Sequence, residues 1–560
     1  MATHEVFNQA IQVGGHDPAQ YPPIVEALTH HGALSRIDEV REAGALASTA
    51  HAIALGDRAE KHPPALETHD RYGHRIDEVT FDPAYHELMT TATRLGLHGT
   101  PWRDPLPHPH LVRAAKFLAW GQADGGHLCP ISMTYAVVPA LRHHPELAAK
   151  LEPLLASRGY DPVLAPPLGK RSLLAGMSMT EKQGGSDVRA NTTRAVRQPD
   201  ESYRITGHKW FTSAPMSDFF LTLAQSDAGL TCFFVPRVLP DGTKNGLHFQ
   251  RLKEKLGNRS NASSEVEYED AVAYRVGDEG RGVRTIIEMV NMTRLDCTLG
   301  SSTLMRVGVQ QAVFHASRRR AFGATLLEQP AMRNVLADLA VEAEAATTAG
   351  LWLAALTDRA VSGDEEAATL RRIALAVSKY YVCKRGPVHA GEALECFGGN
   401  GYVEASRMPR LYREAPLMSV WEGSGNVAAL DTLRALAKQP EAITLLRDEV
   451  RKASDKRIDR ALERLDGQLG DFDTIQYRAR AIVGAMAKVL HASLLVRFGH
   501  PAVAEAYAAS RLSENWGDVF GTLPTGLDLA PILERALPRE TESARPAQRV
   551  RGAEVHGAPS

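Results

Sequence analysis

Apolar side chains recur at helical spacing over most of this chain and change period in one central stretch only. Residues 1–75 are rich in Pro and His, with helical stretches at 24–30 and 36–56. Helical periodicity runs from 83 to 155 and is interrupted by prolines between 101 and 109 and at 130. Over 118–141 small and apolar residues lie nearly all round, which predicts a buried helix. Between 173 and 274 the pattern shifts to short β-branched and aromatic runs, at 219–224, 230–235 and 265–268, separated by turns such as Pro240-Asp241-Gly242. Helical periodicity returns over 282–436, with Ala-rich helices at 335–356 and 365–384, and continues over 440–536. No internal repeat is visible. The predicted fold is mainly α with a small central antiparallel β-domain and an extra C-terminal helical domain. Its boundaries are 1–170 (helical, with an extension), 171–280 (β-barrel-like), 281–439 (helical), 440–540 (helical) and a disordered, Pro/Arg/Glu-rich tail at 541–560. The order differs from alternating βαβ, and no G-x-G-x-x-G follows a strand, so a Rossmann domain is not expected.

Composition narrows the function classes. A length of 560 residues suits three or four domains. With 64 basic and 66 acidic side chains the net charge is −2, so no global field draws in nucleic acid or membrane. Cys129, Cys232, Cys297, Cys383 and Cys396 are odd in number and lack C-x-x-C spacing, which argues against a disulfide framework or a structural zinc and suits a reducing cytoplasm. The N-terminal segment has no secretory pattern, and no window of about 18 uninterrupted apolar residues suggests a membrane span. The pairs His30-His31 and His143-His144 do not chelate, because adjacent side chains diverge on a helix; no metal is expected.

The chemistry concentrates in Gly-rich turns. Trp421-Glu422-Gly423-Ser424-Gly425-Asn426 places one carboxylate between an aromatic residue and a glycine. Gly398-Gly399-Asn400-Gly401-Tyr402 and the basic run Arg410-Leu411-Tyr412-Arg413 precede it. Far upstream lie Met179-Thr180-Glu181-Lys182-Gln183-Gly184-Gly185-Ser186-Asp187 and Gly207-His208-Lys209-Trp210-Phe211-Thr212. Turns without Cβ atoms let backbone N–H groups approach an anionic or planar cofactor, and a desolvated Glu beside one is a candidate general base. The bland alternatives stand beside these readings. Glu422 is also what a solvated helix N-terminus attracts, Thr180 and Ser186 are ordinary turn residues, Trp at a strand end is usually core, and an Arg in a run of three usually faces solvent.

Order and spacing together resemble the acyl-CoA dehydrogenase family of flavoproteins over about residues 75–440. Leu256-Gly257-Asn258-Arg259-Ser260, then Val266-Glu267-Tyr268-Glu269-Asp270, is similar to the end of that family's β-domain, and 277–282 to the entry into its second helical half. Several features resemble the family's alkylation-response branch more closely: Lys-Gln-Gly at 182–184, the run 251–263, Tyr381-Val382-Cys383-Lys384-Arg385-Gly386, Trp421 in place of Tyr, and the long extension beyond 440.

The resemblance implies FAD as cofactor and an acyl-CoA or other small hydrophobic substrate. Glu422 would be the catalytic base; Thr293-Arg294 occupies the place where some members carry it instead. Met177, Met179, Thr180, Gly185 and Ser186 would meet the flavin edge and phosphates. Trp210 would lie against the isoalloxazine ring with Phe211 beside it, and Thr212 would bond near N5. Arg319, Phe322 and Gln329 would reach the pyrophosphate and adenosine part from a neighbouring subunit. Gly398, Gly399, Trp421, Gly423, Ser424, Gly425 and Asn426 would close the opposite side. The family's dimer-of-dimers assembly implies a homotetramer.

The extension is where nucleic-acid binding has to be argued. Residues 438–540 hold 15 basic and 15 acidic side chains, so charge balance gives no support. On a helix predicted over 447–469, Lys456, Arg457, Arg460 and Arg464 flank an apolar face whose other flank is acidic. Such a stripe more often pairs within the protein than with phosphate. The resemblance implies duplex-DNA binding here, with Lys488, Arg497 and Arg511 widening the patch. The leading reading is therefore an FAD-containing protein of the response to DNA alkylation that binds and protects DNA and weakly dehydrogenates branched short-chain acyl-CoA such as isovaleryl-CoA. The alternatives are a metabolic acyl-CoA dehydrogenase whose extension serves oligomer contacts, and a DNA-coating module with a structural flavin.

Overall fold

The computed structural model describes residues 4, 7–9, 17–513 and 516–538; the expected tail at 541–560 lies outside them. Helices Pro22–His30, Ile37–Ala47 and Ala50–Lys61 open the described chain. The helix predicted over 36–56 is two, because Thr49 Oγ1 accepts from Ala52 N at 3.1 Å and caps a new start. A hairpin, Ala65–His69 with Arg75–Thr80, follows inside a region read as helical. It docks on the β-domain through Arg75, which donates to Phe249 O at 3.0 Å. Helices Pro83–Arg94, Pro109–Trp120, Leu128–Leu141 and Pro145–Leu155 complete this part. The single buried helix expected over 118–141 is also two, separated by a loop in which buried Asp124 accepts from His127 N and from Arg410.

The central strands are longer than their apolar runs: Phe219–Ser226, Gly229–Pro236 and Ser263–Val276, with Tyr203–Ser213, Arg194–Arg197, Leu247–Leu252 and Ala175–Ser178. Ser263–Val276 pairs with Tyr203–Ser213, Leu247–Leu252 and Gly229–Pro236, and Gly229–Pro236 pairs with Phe219–Ser226. Arg194–Arg197 bridges Phe219–Ser226 to Tyr203–Ser213 and closes the sheet on itself. The expectation of a purely antiparallel domain is corrected here: Phe219–Ser226 runs parallel to both Ala175–Ser178 and Arg194–Arg197. Alternate side chains from the closed strands, among them Tyr203, Phe220, Phe233, Phe249 and Tyr268, fill its interior.

Three long helices follow, Gly282–Arg318, Pro330–Val361 and Glu365–Glu395, then Met408–Met418 and Gly425–Lys438. The extension contributes Glu441–Arg451, Lys456–Leu469, Ala479–Phe498, Pro501–Arg511 and Ala530–Ala536. The helix predicted over 447–469 breaks at Asp455, whose carboxylate caps Arg457 N at 2.8 Å. Residues of the extension (Leu446, Ile482, Leu490, Tyr507, Leu533) share one continuous core with Leu336, Leu353 and Val377 of the long helices. Pro330–Val361 and Ala479–Phe498 are long and apolar enough to cross a bilayer; here the first is wholly and the second mostly buried in this bundle.

Candidate active site

Glu422 sits at the end of a turn between helices Met408–Met418 and Gly425–Lys438, in the left-handed region at φ 58°, with Gly423 at φ 99° after it. A non-glycine residue there is strained by about 1 kcal/mol or more, so the surroundings must impose it. Two buried cations do so. Lys379 Nζ donates to the carbonyls of Trp421 (2.9 Å) and Gly423 (2.6 Å), and Arg294 Nε donates to that of Glu422 (3.0 Å). Arg294 is itself anchored on Asp431 at 2.8 Å, which Arg372 also reaches. Three successive carbonyls are thus fixed, and the side chain of Glu422 is left to point elsewhere. Its Oε2 is buried without a hydrogen-bond partner, as is Nε1 of Trp421. Burial pushes the Glu422 carboxyl above its ordinary value of 4.5, against the opposing pull of the Thr293 hydroxyl, Arg294 and Lys379.

Trp421 packs against two apolar clusters, a small one of Cys297, Cys383 and Met418 and a larger one that includes Met177, Met289 and Met292, with Met179 packed against it as well. The larger cluster links the Glu422 loop to the first Gly-rich turn. That turn is held by a pair the sequence reading did not single out. Glu181, fully buried, meets Lys209 Nζ at 2.9 Å and accepts from the backbone N–H groups of Thr192 (2.7 Å) and Thr193 (3.1 Å). Burial raises the Glu181 carboxyl, but Lys209 and these donors outweigh it and hold it far below normal; burial takes Lys209 down to about 8. The signal was present in the two motifs themselves, which each carry one member of the pair. Thr180 O accepts from Trp210 N at 2.8 Å, and Gly185 lies so close that a Cβ would fall 2.4 Å from Thr180 Oγ1. Ser186 is exposed beside it.

The strand Tyr203–Ser213 places three of the candidates. Thr212, expected to bond near N5, is fully buried, and its hydroxyl is 2.5 Å from Ser178 Oγ inside the barrel. Trp210, expected to lie on a planar cofactor, has Lys253 Nζ 3.3 Å from its ring centroid. Phe211, half exposed, and Ser213 alternate onto the outward face instead. Ser213 was not among the candidates; strand alternation separates it from Thr212, but a bulge between Lys209 and Thr212 hides the register from the sequence.

Other candidates lie far away. Arg319 closes the helix Gly282–Arg318 and leads into a two-residue hairpin turn, Phe322-Gly323, with φ 51° and 81°. Phe322 at its tip is 97% exposed. Gln329 Nε2 returns to Ala321 O at 3.2 Å, and Arg319 bonds Asn8 O. Gly398 and Gly399, which face open space, stand at the same end of the bundle: Asn400 bonds Gln9 and Phe397 stacks on His315. Arg294 and Arg318 belong to one continuous helix and are about 36 Å apart at 1.5 Å per residue. One dinucleotide does not span that distance, so the two groups of candidates do not face the same ligand within one chain. Gly423 and Gly425 are packed into the base loop, while Ser424 and Asn426 are exposed at the start of helix Gly425–Lys438.

The basic stripe of the extension is mostly turned to intramolecular use. Arg511, expected to touch phosphate, is fully buried between Asp338 and Glu342. Arg497 bonds Glu449 at 2.7 Å, Arg457 bridges Asp455 and Glu505, and half-buried Lys488 lies 5.2 Å from the Trp516 ring centre. Lys456, Arg460 and Arg464 keep exposed positions at intervals of four on helix Lys456–Leu469, Arg464 also donating to Leu512 O at 2.9 Å.

Comparison with known proteins adds to this geometry. Residues 8–162 match the adaptive response protein AidB N-terminal domain, 176–271 the acyl-CoA dehydrogenase middle domain and 280–437 the acyl-CoA dehydrogenase C-terminal domain. The chain is 43% identical to the putative acyl-CoA dehydrogenase AidB of Escherichia coli K12 over 524 residues, 92% of this chain and 95% of that one. It is 31% identical to acyl-CoA dehydrogenase family member 11 of Caenorhabditis elegans, over 86% of this chain and 84% of the relative. The crystal structure of Caenorhabditis elegans ACDH-11 in complex with C11-CoA superposes with a TM-score of 0.80 at 26% identity, covering 96% of this chain and 93% of that one. An acyl-CoA dehydrogenase from Bacillus anthracis complexed with FAD gives 0.62 at 19% identity, over 81% and 89%.

Proposed function

Because the chain belongs to the acyl-CoA dehydrogenase family, within its AidB-like branch, and is therefore an FAD-dependent oxidoreductase of that type, we propose that Glu422 is the base that removes the α-proton of an acyl-CoA thioester. The observation that carries this is the Glu422 carboxyl itself: desolvated, with Oε2 left without a partner, on a loop whose three successive carbonyls are pinned. The residues around it fit FAD. Phe211, Ser213 and the turn at Thr180 present an outward face at the barrel edge, and Trp421 Nε1 and Glu422 Oε2 are buried polar atoms left without a partner. Bound FAD supplies the acceptor for the hydride that leaves the substrate β-carbon. The chain's own part is to hold Glu422 Oε2 against the α-carbon, to exclude water with Trp421 and the methionines, and to keep the proton on the carboxyl after transfer. The raised affinity of that carboxyl for protons favours the transfer.

The separation of the two groups of candidates supports a site completed by a second copy, with Arg319, Phe322 and the Gly398-Gly399 turn serving the neighbour's cofactor. A homotetramer in the cytoplasm is the assembly this reading carries. The substrate we favour is a branched short-chain acyl-CoA of the isovaleryl type; a longer chain is the competing choice, since the C. elegans neighbour was solved with C11-CoA. A second reading, duplex-DNA binding in a response to alkylation, is supported by the exposed Lys456, Arg460 and Arg464 on one helix face. An anaerobic titration with isovaleryl-CoA and with an eleven-carbon acyl-CoA, following the oxidised flavin band, tests the first reading. Bleaching by either, lost in Glu422→Gln, supports it; a fully flavinated protein bleached by neither rejects it.

A further inference from the structure

We propose that the extension helix Ala479–Phe498 is a positioning element for the catalytic base, and that Lys379 transmits its hold to the Glu422 loop. The inference rests on Glu422 being that base.

Lys379 is buried at 1% exposure, and it donates to the base loop, to the carbonyls of Trp421 and Gly423. A lysine with a four-carbon stem holds a carbonyl in place only as well as its own helix is held. The residues that flank it on helix Glu365–Glu395 show what does the holding. At 100° per residue, Ser378 and Tyr381 turn to one face, Lys379 and Cys383 to a second, Tyr380 and Lys384 to a third. On the first face, His491 Nε2 lies 3.4 Å from Ser378 Oγ, and its ring meets Tyr381 edge-on at 5.7 Å. Both His491 and Ser378 are buried. On the second, Lys379 reaches the base loop and Cys383 Sγ donates to Cys297 O at 3.5 Å. On the third, Arg480 Nε donates to the Tyr380 hydroxyl at 3.3 Å. Tyr380 and Lys384 in turn press on Gly425, the first residue of the helix after Glu422: a Cβ there would fall 2.8 Å from Lys384 Cε.

The helix carrying Lys379 is therefore wedged between the extension and the base loop. His491 and Arg480 both belong to Ala479–Phe498, and both contact immediate neighbours of Lys379. The loop they bear on is strained at Glu422, so it has a lower-energy conformation to relax into once its carbonyls are released. Ala479–Phe498 also packs on helix Gly425–Lys438, which follows the loop, and releasing the extension side loosens the loop itself through Lys379. Lys379 is a positioning residue in this scheme, acting through the backbone of Trp421 and Gly423.

The test uses the full-length holoenzyme. Arg480→Ala removes an exposed side chain and leaves the core intact, His491→Gln keeps a hydrogen-bonding group in place, and Lys379→Met removes the ammonium at similar length. Two readouts are taken: hydrogen–deuterium exchange of the peptide spanning 417–430, and the limiting rate and half-saturating concentration of flavin bleaching by acyl-CoA. The expected result is faster exchange of 417–430 in Arg480→Ala and His491→Gln, and more so in Lys379→Met. The limiting rate falls severalfold in the first two and at least tenfold in the third, with half-saturation unchanged. Arg480→Lys, which restores a donor to Tyr380, returns both toward wild type. Wild-type exchange at 417–430 in both extension variants overturns the proposal whatever Lys379→Met does. If wild-type protein is not bleached at all, the catalytic reading of Glu422 fails, and the exchange measurement alone still decides whether the extension positions the loop.

Discussion

Replacing Glu422 with glutamine separates catalysis from stability in opposite directions. Gln keeps the shape of the side chain and the pinned loop, but it accepts no proton. Removal of a general base costs about 10²–10⁴ in rate. Flavin bleaching by acyl-CoA falls by that factor while flavin stays bound. The stability effect follows from the direction of the Glu422 shift. Burial raises its folded-state value above the ordinary 4.5, so the folded protein binds this proton more tightly than the unfolded chain does. The associated stability is fully present below the unfolded value and is lost as pH rises through the folded one, at about 1.4 kcal/mol for each tenfold gain in proton affinity on folding. Glutamine has no such loss. The variant is thus as stable as wild type near pH 4 and more stable at pH 8, as thermal unfolding at the two pH values reports. In wild type the bleaching rate rises with pH over the window where the carboxyl ionises. Two results would refute the reasoning. Bleaching by the variant at the wild-type rate puts the base elsewhere. A variant less stable at pH 8 means that the carboxylate is stabilised by Lys379 and Arg294 more than burial opposes it.

Other regions yield sharper or coarser tests. Lys209→Met leaves Glu181 buried and unpaired, which lowers stability by about 3–5 kcal/mol and loosens the turn at Thr180; the melting temperature drops and flavin dissociates more readily on dilution. Phe322→Ala, at a 97% exposed tip, leaves far-ultraviolet circular dichroism unchanged and weakens assembly and FAD retention together, as sedimentation and flavin-to-protein ratio show. Lys456→Ala and Arg460→Ala each lower affinity for a duplex and reduce the salt slope by about one without altering the melting temperature. Arg511→Met does the opposite, lowering stability by taking the cation from Asp338 and leaving Glu342 to Arg385 alone, while the salt slope of duplex binding stays as in wild type.

The fold class was legible because periodicity is a local property: the helical and strand-rich segments declare themselves in windows of ten to twenty residues. Helix breaks were not, because Thr49 and Asp455 act as caps only once the chain turns there, and the same residues sit within continuous apolar periodicity. The hairpin Ala65–His69 with Arg75–Thr80 is too short and polar to stand out, and gains its place by docking on the barrel. Of the candidate site, the loop at Glu422 stood out in the sequence by its Gly-flanked carboxylate. What holds it did not: Lys379 and Arg294 come from two different helices, the first 42 and 44 residues and the second 128 residues from the loop positions they grip. The placement of Thr212 was hidden by a bulge that reverses which side chains face outward. The basic stripe was visible in the sequence as a pattern, but sequence does not tell which arginines find a carboxylate across 48 residues, as Arg457 does with Glu505.

These pairings bear on how the extension is to be thought of. A domain appended for nucleic acid alone would keep its cations outward and its core to itself. Here Arg511 is spent inward on Asp338 and Glu342 of helix Pro330–Val361, Arg385 of the neighbouring helix reaches the same Glu342 at 3.4 Å, and the apolar residues of the extension merge into the core of the bundle. Cutting the chain near residue 440 would therefore expose buried carboxylates and apolar surface on the helix whose partner carries Lys379. Loss of flavin reduction in a truncated protein would then report damage to the base loop and not the absence of a DNA contact. Point substitutions on the outer face, at Lys456 and Arg460, are the cleaner instrument, because these side chains are exposed and their removal leaves the shared core intact.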